Sequence, residues 1–169
     1  MHAVTPCNTS MSRQEYVISN CTDPYVFYNL TTKLLPEKYD IPYISDIIKN
    51  NPKLQFVAIC REDNPEYVGF ILARTDSRNS THAVITALGV LQEHRNKGIA
   101  RKLINTTLQS IGMSGINRVL LHVKTDNTSA MKLYKSIGFK IISREPNYYS
   151  DNSDAYTMEI RAKGELQRT

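Results

Sequence analysis

The stretch Arg95-Asn96-Lys97-Gly98-Ile99-Ala100 decides the fold, because it joins a β-like run, His82–Leu91, to an amphipathic helix. Glycine, together with a small residue two positions later, lets the backbone approach a ligand closely. The free N–H groups of the first helical turn and the helix dipole favour an anion there. The turn matches neither a P-loop nor a dinucleotide-binding fingerprint. It predicts an anion site, although an ordinary helix start with basic neighbours fits these six residues equally well.

On both sides of this turn, the hydrophobic pattern predicts the order β-α-α-β-β-β-α-β-α-β-β. This order is typical of a single α/β domain with one mixed sheet and helices on its faces. A right-handed crossover through the helix after Gly98 makes the flanking strands parallel neighbours. The predicted strands are Glu15–Ser19, Leu54–Cys60, Tyr67–Arg74, His82–Leu91, Val119–Val123, Phe139–Ser143 and Ala155–Ile160.

The 169 residues are enough for one domain with a buried core. We expect a flexible arm at residues 1–13, the folded domain at 14–162 and a polar tail at 163–169. No apolar run approaches the roughly 20 residues that span a bilayer, and the first residues do not resemble a signal peptide. Three cysteines without zinc-site spacing predict a reducing compartment, so we expect a cytoplasmic protein without a metal.

The charge balance is mildly basic, with a net charge of +5 and a pI near 9.1. Such a balance suits an anionic small molecule. The chain has no arginine-rich run, RNA-binding aromatic signature or zinc-finger spacing, so direct nucleic-acid recognition is not expected.

Two motifs resemble the signatures of the GCN5-related N-acetyltransferases (GNAT). The first is Arg-x-x-Gly-x-Ala at residues 95–100, and the second is Asn-x-x-Ala-x-x-Leu-Tyr-x-x-x-Gly-Phe at residues 127–139. The resemblance covers roughly residues 14–162 and implies a GNAT-like fold with acetyl-CoA as co-substrate. The residues that it implies for acetyl-CoA binding are Leu88, Gly89, Val90, Arg95, Asn96, Lys97, Gly98, Ile99, Ala100, Arg101 and Asn127.

Three further stretches resemble those of protein N-terminal acetyltransferases of the NatA and archaeal types. They are Leu35-Pro36-Glu37-Lys38-Tyr39, Leu120-Leu121-His122-Val123 and the Glu-Pro-x-Tyr-Tyr run that starts at Glu145. Leu88-Gly89-Val90 is more similar to the NatE catalytic subunit, so the subtype stays open. The resemblance implies acetyl transfer to the α-amino group of protein N-termini. It implies a peptide site formed by Leu35, Pro36, Glu37, Tyr39, Tyr148 and Tyr149.

This chemistry needs a proton acceptor, because an N-terminal amine is mostly protonated near pH 7 and only the neutral amine attacks a thioester. The unperturbed pKa of histidine suits that role, so His122 is the first candidate. Tyr134 is the candidate acid for the leaving thiolate, and Glu37 is a second acceptor or attracts the ammonium group. Each has an ordinary alternative: a packed strand histidine, a core tyrosine and an exposed loop carboxylate.

One position departs from the family pattern. Related enzymes often carry Tyr or His where this chain has Val84, and valine cannot relay a proton. His82 lies on the same strand face and is one substitute, and Glu37 is the other.

Two alternatives also fit the sequence: a GNAT enzyme that acetylates a ribosomal protein or small amine, and a non-catalytic acetyl-CoA-binding subunit. Expected partners are protein or peptide N-termini, an auxiliary subunit and the ribosome. The preferred N-terminal residues and the oligomeric state stay undetermined.

Overall fold

The computed structural model describes residues 15–61 and 64–162. The predicted arm (1–13) and tail (163–169) lie outside the described residues. Among the described helices, none combines the length and the apolar content needed to cross a membrane. The elements are β1 (Glu15–Asn20), α1 (Pro24–Leu34), α2 (Ile41–Asn50), β2 (Phe56–Arg61), β3 (Glu66–Asp76), β4 (Asn79–Val90), α3 (Ile99–Met113), β5 (Arg118–Lys124), α4 (Thr128–Ile137), β6 (Lys140–Glu145) and β7 (Ala155–Arg161).

The strands form one mixed seven-stranded sheet in the order β1-β2-β3-β4-β5-β7-β6. Neighbouring strands are antiparallel except β4 and β5, which run parallel. The predicted single α/β fold and the parallel pairing across α3 are therefore confirmed.

Side-chain caps fix the start of each of the first two helices. Asp23 accepts a hydrogen bond from the Tyr25 amide at 2.9 Å at the start of α1, and Asp40 accepts one from the Tyr43 amide at 2.8 Å at the start of α2. These bonds satisfy amide groups that a helix start leaves unpaired. Residues 35–39 lie between the end of α1, where the Leu35 amide donates to the Thr31 carbonyl at 2.9 Å, and the capped start of α2.

The helices cover both faces of the sheet. Leu103 and Ile104 of α3 are fully buried in one cluster, and Phe27 of α1 and Ile44 of α2 are fully buried in the other. Contact between α1 and the sheet is so close at Gly89 that a Cβ there would lie 3.1 Å from Leu34 Cδ1 of α1, and 2.8 Å from a Phe70 ring carbon on the neighbouring β3. Glycine at this position therefore lets α1 settle directly over β4.

A β-bulge at Thr86 shapes the middle of β4. Ile85 pairs with Ala73 and Ala87 pairs with Leu72, so Thr86 is an extra residue. The parallel ladder between β4 and β5 ends at the pair Ile85–Leu121. Beyond that pair the two strands separate and leave a cleft at the centre of the sheet.

Candidate active site

Three adjoining cavities occupy this cleft. The turn-side cavity, of about 660 Å³, is bordered by the turn at residues 95–101. The outer cavity, of about 1280 Å³, is bordered by Tyr148. The central cavity, of about 210 Å³, shares His122 with the outer cavity and Tyr134 with the turn-side cavity. Two large cavities therefore meet at a small one, a shape that suits two substrates reacting at a single point.

Nearly all residues predicted to bind acetyl-CoA border the turn-side cavity. Lys97 differs, because its Nζ lies 5.9 Å from the centroid of the Tyr16 ring and the residue does not border the cavity. The predicted residues that do border it are Leu88, Gly89, Val90, Arg95, Asn96, Gly98, Ile99, Ala100, Arg101 and Asn127.

The turn itself is held in an uncommon backbone conformation. Asn96 and Gly98 have φ values of 61° and 78°, in the left-handed region. The Arg95 side chain donates through Nε to the Val90 carbonyl at 3.0 Å, and Arg101 donates to Ser136 Oγ at 2.7 Å. These bonds tie the turn to the end of β4 and to α4, so its shape is fixed from both sides.

The imidazole of His122 lies on the boundary between the outer and central cavities. It directly follows the last ladder pair of β5 and stacks on the Tyr148 ring, with centroids 4.5 Å apart. Burial lowers the pKa of His122, and the Arg74 guanidinium lowers it further, whereas Glu145 opposes both. A lowered pKa leaves the imidazole neutral and able to accept a proton near pH 7.

The outer cavity is also bordered by charged residues to which the sequence analysis assigned no role, among them Arg74 and Glu145. Glu145 accepts hydrogen bonds from Ser143 Oγ at 2.6 Å and from Thr157 Oγ1 at 3.1 Å, which lower its pKa. The motif that starts at Glu145 was a signal for this residue. Arg74 carries no such signal, because in the sequence it is one more basic residue in a strand.

Tyr134 lies between the central and turn-side cavities and is 9% exposed. Burial raises the pKa of Tyr134 to about 12, so its hydroxyl keeps its proton at neutral pH. Asn127 accepts from the Ala130 amide at 3.1 Å and thereby caps α4 while it borders the same cavities.

The predicted peptide loop after α1 borders the central cavity through Leu35, Pro36, Glu37 and Tyr39. The Tyr39 hydroxyl donates to the carbonyl of bulge residue Thr86 at 3.3 Å. Burial and the nearby Glu37 raise the pKa of Tyr39 to about 12. The loop is therefore anchored where the two strands separate.

The second predicted peptide loop presents Tyr148 and Tyr149 to the outer cavity. Its carboxylates serve the loop's own structure: Asp151 accepts from Lys124 Nζ at 2.7 Å, and Asp154 accepts from Arg144 Nη2 at 2.6 Å. The Asn147 amide adds a bond to Asp154 at 2.9 Å, and Lys124 Nζ lies 5.0 Å from the Tyr149 ring centroid. These bonds hold both tyrosines in place.

The positions of His82 and Glu37, the two residues considered as substitutes for a proton relay at Val84, differ in the structure. Val84 borders the outer cavity. His82 borders none of the three cavities, and its Nδ1 lies 3.1 Å from Thr81 Oγ1. Glu37 borders the central cavity together with His122. His82 is therefore not positioned to replace a proton relay at residue 84.

Comparison with known proteins agrees with this geometry. Residues 23–139 match the acetyltransferase (GNAT) family. The chain is 38% identical over 135 residues to the N-terminal acetyltransferase A complex catalytic subunit NAA10 of Arabidopsis thaliana, covering 77% of this chain and 68% of that protein. It is 34% identical over 134 residues to the N-alpha-acetyltransferase daf-31 of Caenorhabditis elegans, covering 77% and 72%.

A solved structure, Ard1 from Thermoplasma volcanium, superposes with a TM-score of 0.77 at 31% identity and covers 87% of this chain and 97% of that one. The family match extends over most of the chain, and the identities to these N-terminal acetyltransferases exceed 30% over at least three quarters of it. The chain therefore belongs to the GNAT acetyltransferase family, and within it to the N-terminal α-acetyltransferases.

Proposed function

We propose that this enzyme takes acetyl-CoA into the turn-side cavity and a protein N-terminus into the outer cavity, and that the acetyl group passes between them in the central cavity. The observation that carries the proposal is the small central cavity shared by His122 and Tyr134. The left-handed turn at Asn96 and Gly98 and the basic side chains beside it suit a pyrophosphate group.

The proposed chemistry needs one proton acceptor and one proton donor. His122 accepts the proton of the α-ammonium group, because its lowered pKa keeps the imidazole neutral at neutral pH. The amine nitrogen then attacks the thioester carbonyl carbon and forms the amide bond, while the C–S bond breaks. Tyr134 donates its hydroxyl proton to the leaving thiolate, and the second proton that the nitrogen loses as the amide forms passes through water and restores the Tyr134 hydroxyl. Backbone N–H groups of Leu88, Gly89 and Val90 are proposed donors to the carbonyl oxygen in the transition state.

Glu37 supports the reaction electrostatically in this proposal. Its carboxylate borders the same cavity as His122, so it attracts the ammonium form of the substrate. Because Val84 offers no proton relay, the acceptor role falls on His122, with Glu37 as the rival.

A peptide pair tests the proposed site. One peptide carries a free N-terminus and an internal lysine, and its partner is identical except for a blocked N-terminus. Mass spectrometry should find acetylation at the α-amine of the first peptide and almost none on the second. Comparable rates on both peptides would contradict a site that closes around a chain end.

We also propose that the enzyme acts in the cytoplasm on chains at the ribosome, together with an auxiliary subunit. The support is the name of the Arabidopsis relative, a catalytic subunit of a complex. Initial rates of the isolated chain over an N-terminal peptide library test the subunit requirement. Full turnover by the isolated chain would contradict it, whereas the absence of turnover on every peptide even with an auxiliary subunit added would favour a non-catalytic role.

A further inference from the structure

Arg74 is a cationic residue of β3 that borders the outer cavity. It pairs with Val84 across β3 and β4, and Val84 pairs with Leu120 across β4 and β5. These residues occupy one row of the sheet, and all three border the outer cavity. His122 comes two residues further along β5, on the side where the strands separate.

Among the residues that the structure describes, no carboxylate pairs with the guanidinium of Arg74. Its side chain is half-buried, yet within residues 15–61 and 64–162 it takes part in no ion pair. Nη1 makes one long hydrogen bond, to the Thr75 carbonyl at 3.4 Å. The nearby carboxylate of Asp76 is engaged by Arg78, through its Nε at 3.9 Å and its amide at 2.9 Å.

The positive charge of Arg74 acts electrostatically on His122, at the end of the outer cavity where the reaction is proposed to occur. Burial is the main cause of the lowered pKa of His122, and Arg74 adds to it; burial raises the pKa of Tyr148, the ring that stacks on His122, and Arg74 partly opposes that rise. A partly desolvated guanidinium is best matched by a carboxylate, which its planar fork can bind through two hydrogen bonds.

We propose that Arg74 is a specificity-determining residue that binds an acidic side chain at the second or third residue of the substrate peptide. The inference rests on the proposed placement of the peptide in the outer cavity. Strands lie about 4.8 Å apart and rise about 3.3 Å per residue, so the Cα atoms of Arg74 and His122 are roughly 12 Å apart. With the amine at His122, an extended peptide brings its second or third side chain to the guanidinium.

Paired peptides that differ only by Asp against Asn, at each of the first five positions in turn, test the inference. The wild-type enzyme should prefer Asp by on the order of tenfold in kcat/KM, the scale of one charge-assisted hydrogen bond. The preference should be confined to the second and third positions and should lie mainly in KM. It should shrink as salt is raised, because the contact is partly exposed.

Arg74→Gln should remove this preference, and Arg74→Lys should retain part of it. Arg78→Gln is the matched control, because Arg78 borders the same cavity but is 93% exposed and paired with Asp76. The control should keep the wild-type preference for Asp.

Equal rates on Asp and Asn peptides by an active wild-type enzyme would overturn the role of Arg74 and leave the proposed function standing. A preference that survives in Arg74→Gln, or one located outside the second and third positions, would also overturn it. If the wild-type enzyme acetylated none of the peptides, this result would instead contradict the proposed function.

Discussion

The imidazole of His122 lies almost flat against the ring of Tyr148, with the centroids 4.5 Å apart and the planes inclined by 17°. The contact joins the candidate base to the loop proposed to bind the peptide. It contributes to the burial that lowers the pKa of His122, so the loop sets both the orientation of the imidazole and its protonation.

Replacing Tyr148 with Ala should raise the pKa of His122 towards its ordinary value. Burial, which disfavours the charged imidazolium, is the largest cause of the lowered pKa, and the substitution removes part of that burial. The acidic limb of kcat/KM should therefore move to higher pH, and an NMR titration of the His122 ring should move with it. Tyr148→Phe keeps a ring and should titrate like the wild type. An unchanged titration in Tyr148→Ala would show that the stacking does not control the pKa.

Replacing His122 with Ala should lower kcat by roughly 10²–10⁴-fold, the usual contribution of a general base. Acetyl-CoA affinity should barely change, because His122 borders the central and outer cavities but not the turn-side cavity. Glu37→Gln is the paired measurement on the same peptide. If Glu37→Gln loses more kcat and His122→Ala keeps most of it, His122 is a packed strand histidine and the carboxylate accepts the proton.

Replacing Tyr134 with Phe should lower kcat while acetyl-CoA binding, measured by calorimetry, stays close to the wild type. The hydroxyl, whose pKa burial raises to about 12, is the proposed donor to the thiolate, and the ring itself packs at 5.8 Å against Phe139. Because phenylalanine keeps that packing, thermal stability should change little. An unchanged kcat in Tyr134→Phe would show that Tyr134 is a core residue and not the proton donor.

Replacing Gly98 with Val should weaken acetyl-CoA binding by about 1–3 kcal/mol, the scale of backbone strain at a functional site. A Cβ at Gly98 would meet nothing within 4 Å, so the penalty comes from its φ of 78° alone. The free turn should relax away from the left-handed conformation, and binding would have to restore it.

Gly115→Val is the matched control for the turn. Gly115 has a φ of 79° and equally open surroundings, but it follows α3 and borders none of the three cavities. The Gly115→Val variant should lose about as much thermal stability as Gly98→Val and keep its acetyl-CoA affinity. Equal losses of acetyl-CoA affinity in Gly98→Val and Gly115→Val would show that the turn is not part of the acetyl-CoA site.

The sequence by itself determined the elements and most of the candidate site. Hydrophobic period, caps such as Asp23 and the glycine at residue 98 are local features, and local backbone physics is enough to interpret them. The two signature motifs then indicated the residues of the turn-side cavity. Ten of the eleven residues predicted for acetyl-CoA border that cavity, with Lys97 as the exception.

Only the tertiary structure decided how these parts meet. The bulge at Thr86 is defined by its register against β3, and the stacking of His122 on Tyr148 joins a strand to a distant loop. Whether the charge of Arg74 is paired depends on which side chains other strands bring near it. Such contacts link residues far apart in the chain, so burial, protonation and charge pairing at the site follow from the packed sheet and cannot be deduced from local pattern.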